Sequence, residues 1–239
     1  MNIDKFSKTK LFIFFATIGL FIVLILDIMD SHFSFHELLV EFHGLVFDLF
    51  IFGILLTIYE SITSRKEKIQ RYKEELSDYK FWESEEAFYR NRGLVKRLVN
   101  LNENELNLSH CYFATDSSFT DYKDMRKWNF ANAKLMDCFF LMSNMENANF
   151  YIANIKGATF TEVNLTNCKF GSTILVDTNF ERCNLTNIKL DDAYVGISNW
   201  FEMLEYKKNI GVKELREKYR ISEEPIVIRE MKVYQLKLK

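Results

Sequence analysis

The chain has 239 residues, 31 Lys and Arg against 33 Asp and Glu, and a formal charge of -2. That balance gives no reason to expect nucleic-acid binding by the chain as a whole. Only eight Gly and one Pro argue against long flexible linkers, and 23 Phe point to heavy aromatic burial.

Leu11 to Leu26 is an unbroken run of sixteen non-ionisable residues, flanked by Lys10 and Asp27. With Ile28 and Met29 it approaches the ~20 residues that cross a bilayer. A signal peptide is the rival reading, because Lys5, Lys8 and Lys10 form a basic leader. Leu26-Asp27-Ile28-Met29-Asp30 offers no small-residue cleavage site, however. A second apolar segment runs from about Leu38 to Tyr59, so the pattern predicts a two-helix transmembrane hairpin over 1–60, with helices at about 9–29 and 38–59. Positive charge lies before the first helix and after the second (Arg65, Lys66, Lys68, Arg71, Lys73), whereas the loop 28–37 has Asp30 and Glu37 and no Lys or Arg. The positive-inside rule then expects a two-pass inner-membrane protein with both termini cytoplasmic, and the basic cluster facing anionic lipid.

Glu41, His43 and Asp48 interrupt the second segment. Glu41, Gly44, Asp48 and Leu55 share a helical face, and an intramembrane carboxylate must face protein or water, or be protonated. Two readings of that polar face are open: hydrogen-bonded glue between helices, or the lining of a path through an oligomer. His32 and His36 are four apart, but His36-Glu37-Leu38-Leu39-Val40 lacks the second histidine of the zinc-protease pattern. Interfacial histidines are the simpler expectation, with no metal and no cofactor.

Residues 61–104 read as a helical linker and N-terminal cap, with no Pro and with Gly93 the one candidate for an internal break. Ile62, Ile69, Tyr72, Leu76 and Tyr79 fall at seven-, three- and four-residue steps, a stripe suited to a short coiled coil or to packing on the domain C-terminal to it. Phe81, Trp82, Phe88, Tyr89, Leu94, Val95 and Leu98 form a second apolar set that can cover an exposed end.

From Phe130 to Val195 every fifth residue is large and apolar, including Phe130, Leu135, Phe140, Met145, Phe150, Ile155, Phe160, Leu165 and Phe170. A mostly small residue lies two places earlier, among them Ala133, Cys138, Ser143, Ala148, Ala153, Ala158, Cys168, Thr173 and Cys183, and the position between is often Asn. Period five fits neither helix nor strand. It suits a coil with flat sides, and such internal repeats decide the fold.

The motifs Ala148-Asn149-Phe150 and Ala153-Asn154-Ile155 match A-(D/N)-L-x-x, and over roughly 106–196 the chain resembles the pentapeptide-repeat family. The resemblance implies a right-handed quadrilateral parallel β-helix at 105–196, with four five-residue faces per coil. On a twenty-residue coil, Phe would stack on Phe along two faces and aliphatic residues along the other two, with coils about 4.8 Å apart. All four cysteines (Cys111, Cys138, Cys168, Cys183) take the inward small position, which predicts inert core thiols suited to a reducing compartment.

The first coil is irregular: Phe119 and Met125 come at six-residue steps. The spacing predicts a loop over 115–127, and Asp116, Asp121, Asp124, Arg126 and Lys127 are its candidate partner contacts. After Val195 a C-terminal cap is expected over 197–239. Ser198 would cap a helix bearing Trp200, Phe201 and Leu204, Gly211 would break it, and Val212, Leu215 and Tyr219 would mark a second helix. The tail 226–239 would form a strand needing a sheet edge.

The fold class is therefore a membrane α-helical hairpin joined to an all-β solenoid with helical caps. No nucleophile, phosphate loop or acid–base pair emerges, so no enzyme is expected. The leading function is a membrane-anchored scaffold for protein–protein contact and self-assembly, bound to the lipid bilayer, to further copies and to an unidentified protein partner. The alternative is an oligomeric channel or membrane-disrupting effector of toxin or defence type. Resemblance alone adds a third reading, DNA mimicry directed at gyrase. It is disfavoured because the repeats are Asn-rich and only mildly acidic, with Asp137, Glu146, Glu162, Asp177, Glu181, Asp191 and Asp192 set against Lys134, Lys156, Lys169, Arg182 and Lys189.

Overall fold

The computed structural model describes residues 35–113 and 119–239 together with Phe14, Thr17, Phe21 and Ile25, and for residues 35–38 and Glu41 the backbone alone. The other residues of the first apolar segment, the loop with His32, and Asp116 lie outside the described residues. The chain divides into two compact units, Met1–Lys68 and Ile69–Lys239.

In the first unit, Phe14, Thr17, Phe21 and Ile25 are helical and exposed. Helix α1 (Phe35–Asp78) has 44 residues and no Pro. Among the described residues it is the one helix long and apolar enough to cross a membrane. The apolar portion 38–59 measures about 33 Å at 1.5 Å per residue, the thickness of a hydrocarbon core. Thr57 Oγ1 donates to Gly53 O at 2.8 Å, which satisfies the hydroxyl inside the helix. Apart from the half-buried stripe Leu45, Leu49, Gly53 and Leu56, the described side chains of this portion are exposed.

The second unit begins with the last turns of α1, where Leu76 is buried and Ile69, Tyr72 and Tyr79 pack partly against the core. The 69/72/76/79 stripe therefore covers the solenoid. Helix α2 (Glu85–Asn100) comes next, its first turn capped by Ser84, whose side chain accepts from Ala87 N at 3.1 Å. The chain thus breaks at residues 79–84 and not at Gly93, which lies inside α2. A good N-cap succeeded by Glu85 and Glu86 outweighs the ~1 kcal/mol that a helical Gly costs. Ala87, Phe88, Asn91, Leu94, Val95 and Leu98 are buried, whereas Phe81, Trp82 and Tyr89 are exposed, although Phe81 sets its ring 4.1 Å from His110 and donates its N–H to His110 O (3.0 Å).

The repeat winds into a four-sided coil. Parallel bridges twenty residues apart recur on three sides, for example Asn129↔Asn149, Lys134↔Asn154 and Asn144↔Asn164. The fourth side is the parallel sheet β1 (Phe139–Leu141), β2 (Thr159–Thr161) and β3 (Asn179–Glu181), in register Phe140↔Phe160↔Phe180. Two aromatic columns fill the centre. Phe130, Phe150 and Phe170 stack at 5.0 and 4.8 Å, and Phe119, Phe140, Phe160 and Phe180 at 4.9, 4.6 and 5.0 Å. The columns meet edge to face, as at Phe150–Phe160 (84°), the geometry that ring quadrupoles favour. Met125, Met145, Leu165 and Leu185 close one remaining side and Leu135, Ile155, Leu175 and Val195 the other, all buried.

Period five results from how each corner is made. The Asn before a central apolar residue accepts the backbone N–H two residues on, as Asn149 Oδ1 does from Tyr151 N (3.1 Å) and Asn164 Oδ1 from Thr166 N (3.2 Å). The second residue after the central one then turns left-handed, at Asn132, Asp137, Asn147, Gly157, Asn167, Asp177, Asn187 and Asp192. Asn, Asp and Gly tolerate that conformation. Met142, Ile152, Glu162 and Arg182 adopt it as well, and lateral bonds hold them there, such as Ile152 N to Gly171 O at 2.9 Å. The inward small position has its own bond: Thr173 Oγ1 donates to Phe150 O (2.6 Å), Thr178 Oγ1 to Ile155 O (2.9 Å) and Cys168 Sγ to Met145 O (3.0 Å).

Phe119 and Met125 are both buried, and Asp124 bridges Asn144. The step from Phe119 to Met125 thus absorbs one extra residue while its apolar residue still points inward. Residues 119–127 belong to the coil and are not the loop that the spacing predicts.

The C-terminal end is closed by segments that continue the register. Helix α3 (Trp200–Tyr206) brings Trp200 edge-on to Phe180 at 6.4 Å. Its N-cap is Asn199, not Ser198, and it makes no side-chain capping bond. Ile210 then rejoins the ladder: its N–H donates to Cys183 O (2.9 Å), and its carbonyl accepts from Leu185 N (2.9 Å). Gly211 (φ +87°) passes so near that an added Cβ would lie 2.9 Å from Thr186 N. Helix α4 (Val212–Lys218) leads into β5 (Tyr219–Ile221), so Tyr219 is in a strand and not a helix. Its hydroxyl accepts from Leu190 N at 3.1 Å. The tail forms β6 (Ile226–Ile228) and β7 (Met231–Leu238), and β7 pairs antiparallel with β4 (Tyr194–Val195), β5 and β6. The edge that this strand needs is the solenoid's own last coil.

Candidate functional site

The polar face of α1 is placed only in part. Glu41 is described by its backbone alone; His43 is exposed and its Nδ1 lies 2.6 Å from Leu39 O, a bond within the helix. Asp48 is exposed between Phe47 and Phe50, whose rings are exposed too. It does not lie on the half-buried 45/49/53/56 stripe.

The basic cluster divides in two. Arg65, Lys66 and Lys68 are exposed on α1. Lys73 instead pairs with Glu103 at 2.9 Å, and the Arg71 guanidinium sits 5.5 Å from the Tyr72 ring, with Arg97 5.6 Å from the same ring. These last residues brace α1 against the cap, so Lys73 is not a free lipid-facing charge.

Of the expected partner contacts, Asp124 and Arg126 pair with each other (2.7 Å) and Lys127 pairs with Glu105 (2.7 Å). Arg126 holds the Asp124 carboxyl below its ordinary range. Asp121 is exposed nearby. The residues form an ion-paired coil surface, and the pairing draws them away from a role as a loop of free charges.

The cysteines are all buried. Burial pushes the Cys111 and Cys168 thiols up to about 12 and Cys183 to about 11. Such thiols carry no thiolate at neutral pH and are poor nucleophiles and metal ligands. Among the described residues no group of three or more His, Cys, Asp or Glu is arranged to hold a metal ion.

Sequence reasoning passes over a cavity of about 390 Å³ between the end of α1 and the first coil, lined by Gln70, Lys73, Ser77, Lys80, Leu98 and Asn107, among others. The signal that could find it is the Asn column, which starts at Asn107 with no coil before it.

A model of the pentapeptide repeats (eight copies) matches residues 129–167 and 164–194. This segment matches the pentapeptide-repeat family. The family's fold is a right-handed β-helix, in keeping with the parallel four-sided coil. No curated protein matches the chain. Among solved structures it is similar to QnrB1, a plasmid-mediated fluoroquinolone resistance protein (17% identity, 44% of this chain and 55% of that one, TM-score 0.28). It is similar also to the pentapeptide repeat protein Rfr23 from the cyanobacterium Cyanothece 51142 (26% identity, 35% and 55%, TM-score 0.22). A third is HetL from Nostoc sp. strain PCC 7120, involved in heterocyst differentiation regulation (13% identity, 37% and 48%, TM-score 0.22). The chain spans about half the length of each, and at these scores none bears on what the chain binds or does.

Proposed function

We propose that this pentapeptide-repeat protein is a non-enzymatic scaffold, fixed to a membrane by α1 and the apolar segment before it, that presents its solenoid to a protein partner in the cytoplasm. The observation that supports it most is the contrast of surfaces along one chain. The coils carry chiefly polar and ion-paired side chains outward, with Phe139, Met142, Tyr151 and Ile152 as exposed exceptions, whereas Phe47, Phe50 and Leu55 of α1 expose their apolar side chains by about three-fifths (62%, 65% and 58%). Exposed apolar surface on that scale is stable in lipid and not in water. Arg65, Lys66 and Lys68 beyond it, and Lys5, Lys8 and Lys10 before the first segment, favour a cytoplasmic solenoid by the positive-inside rule.

Asp48 favours a second reading, an oligomeric channel or membrane-disrupting effector. A carboxylate exposed among phenylalanines in the apolar portion calls for a neighbouring helix or water, which further copies would supply. Molecular mass in detergent, with ion flux and growth compared for wild type and Asp48→Asn, separates the two. The scaffold predicts no flux and no difference between the variants. A defined oligomer whose flux the substitution abolishes would replace the scaffold by the channel.

A further inference from the structure

Among the described residues the first coil leaves a rung edge open at Asn107. In the coils above it, three bonds hold each member of one Asn column. Asn129 donates its N–H to Leu106 O (2.9 Å), its carbonyl accepts from Leu108 N (2.7 Å), and its Nδ2 donates to Asn107 Oδ1 (3.1 Å). Asn149 repeats the set on the next coil, with N–H to Trp128 O (3.0 Å), carbonyl from Phe130 N (2.7 Å) and Nδ2 to Asn129 Oδ1 (3.0 Å).

Asn107 takes the same place one coil earlier. Its Oδ1 is occupied, by Asn129 Nδ2 and by Ser109 N (3.2 Å). Its N–H, carbonyl and Nδ2 have no partner among the described residues. The neighbouring edge is treated differently: buried Asn91 of α2 reaches down and donates Nδ2 to Tyr112 O at 3.3 Å, so a side-chain amide stands in for the missing strand. Nothing does this at Asn107, which opens instead onto the 390 Å³ cavity beside Gln70, Lys73, Ser77 and Lys80.

We propose that this edge docks an extended segment of a protein partner, added parallel to the first coil and centred on Asp or Asn between two small residues. The inference rests on the scaffold reading and names its partner class. The ladder dictates the chemistry. The carbonyl before the central residue accepts from Asn107 N–H, the N–H after it donates to Asn107 O, and the central side-chain oxygen accepts from Asn107 Nδ2. That pattern over three consecutive residues is what an extended backbone supplies. The flanking side chains point inward, as Ala148 and Phe150 do around Asn149. Here Leu76 and Leu98, both buried, already fill the inward space, so the flanks must be small. The cavity wall carries Glu74 and Glu105 beside Lys73 and Lys80, so its charge does not choose between Asp and Asn. A second copy of the rod is a poor occupant, because Asn129 and Asn149 already have neighbours on both sides.

The test is fluorescence anisotropy of full-length protein in nanodiscs with the labelled peptide Gly-Ser-Gly-Ala-Asp-Ala-Gly-Ser-Gly. Saturable binding is expected. Methylating the amide nitrogen just after Asp should weaken it roughly tenfold, and Asn107→Asp should weaken it by at least as much, since a charge-assisted bond becomes a repulsion. Asn107→Asp keeps the acceptor for Asn129 and Ser109, so its unfolding midpoint should match wild type, and the Asn-centred peptide should lose no more than about threefold. Three results would overturn the assignment: no saturable binding up to about 1 mM, binding indifferent to N-methylation, or peptide that acts only by dissociating a preformed dimer. Any of these alongside an unchanged Asp48→Asn variant removes the groove and leaves the scaffold standing, whereas ion flux lost in Asp48→Asn removes the scaffold itself.

Discussion

The repeats and helix α1 are both rich in Phe, and they use it in opposite ways. In the coils the central rings are at most 3% exposed and stack on one another, while in α1 Phe47 and Phe50 stand more than half exposed. Composition cannot tell these apart; spacing can. Period five turns a Phe into an interior solid at protein density, and a run with no such period leaves it exposed on a helix long and apolar enough to cross a membrane.

The largest expected effect breaks the comparison if it is wrong. Phe150→Ala deletes a ring between two stacked neighbours and should lower the stability of the solenoid by about 3–5 kcal/mol, read by denaturant unfolding of the detergent-solubilised chain. Phe50→Ala should leave that transition unchanged. Equal losses would mean that Phe50 is not lipid-facing.

Next in size is the alkaline response. The Cys168 thiol titrates near 12 when folded against 9.0 as the ordinary value. The folded state holds the proton longer, so stability is full below about pH 9 and falls as pH climbs toward 12. Cys168→Ala should flatten that decline, measured as unfolding midpoint against pH, whereas a variant as steep as wild type would show that the thiol is not buried. Asn149→Ala should cost about 1–2 kcal/mol, because its amide joins two coils and closes a corner. Smallest is Asp124→Asn. Its carboxyl titrates below the ordinary 3.8 beside Arg126, so its contribution is present above that pH and lost as pH falls through the folded value. Wild type and variant should therefore differ slightly at neutral pH and converge in acid.

Much of the solenoid is legible in the sequence because each coil repeats one local rule, so the columns at 130/150/170 and 140/160/180 come from counting alone. The left-handed corner is written there too, in Asn132, Asp137, Asn147 and Gly157, although period and polarity do not single it out. The first coil misleads, because two inserted residues shift the count without expelling Phe119 or Met125. The break between α1 and α2 is hidden because Gly93 looks like a stronger stop than Ser84, although capping, not glycine, decides it. For the candidate groove the signal is only where the Asn column starts, at Asn107: an unpaired edge is defined by a coil that is not there.

The membrane anchor and the side on which the solenoid lies can be read together with one thiol. All four native cysteines are buried, and Tyr206 on α3 is 83% exposed, so Tyr206→Cys supplies a single reactive reporter on the solenoid's cap. A membrane-impermeant maleimide, applied to sealed vesicles of each orientation, should label the variant in inside-out vesicles and spare it in right-side-out ones, with all of the protein in the membrane fraction. Labelling of intact right-side-out vesicles, or recovery of the protein in the aqueous fraction, would contradict a rod tethered at the cytoplasmic face.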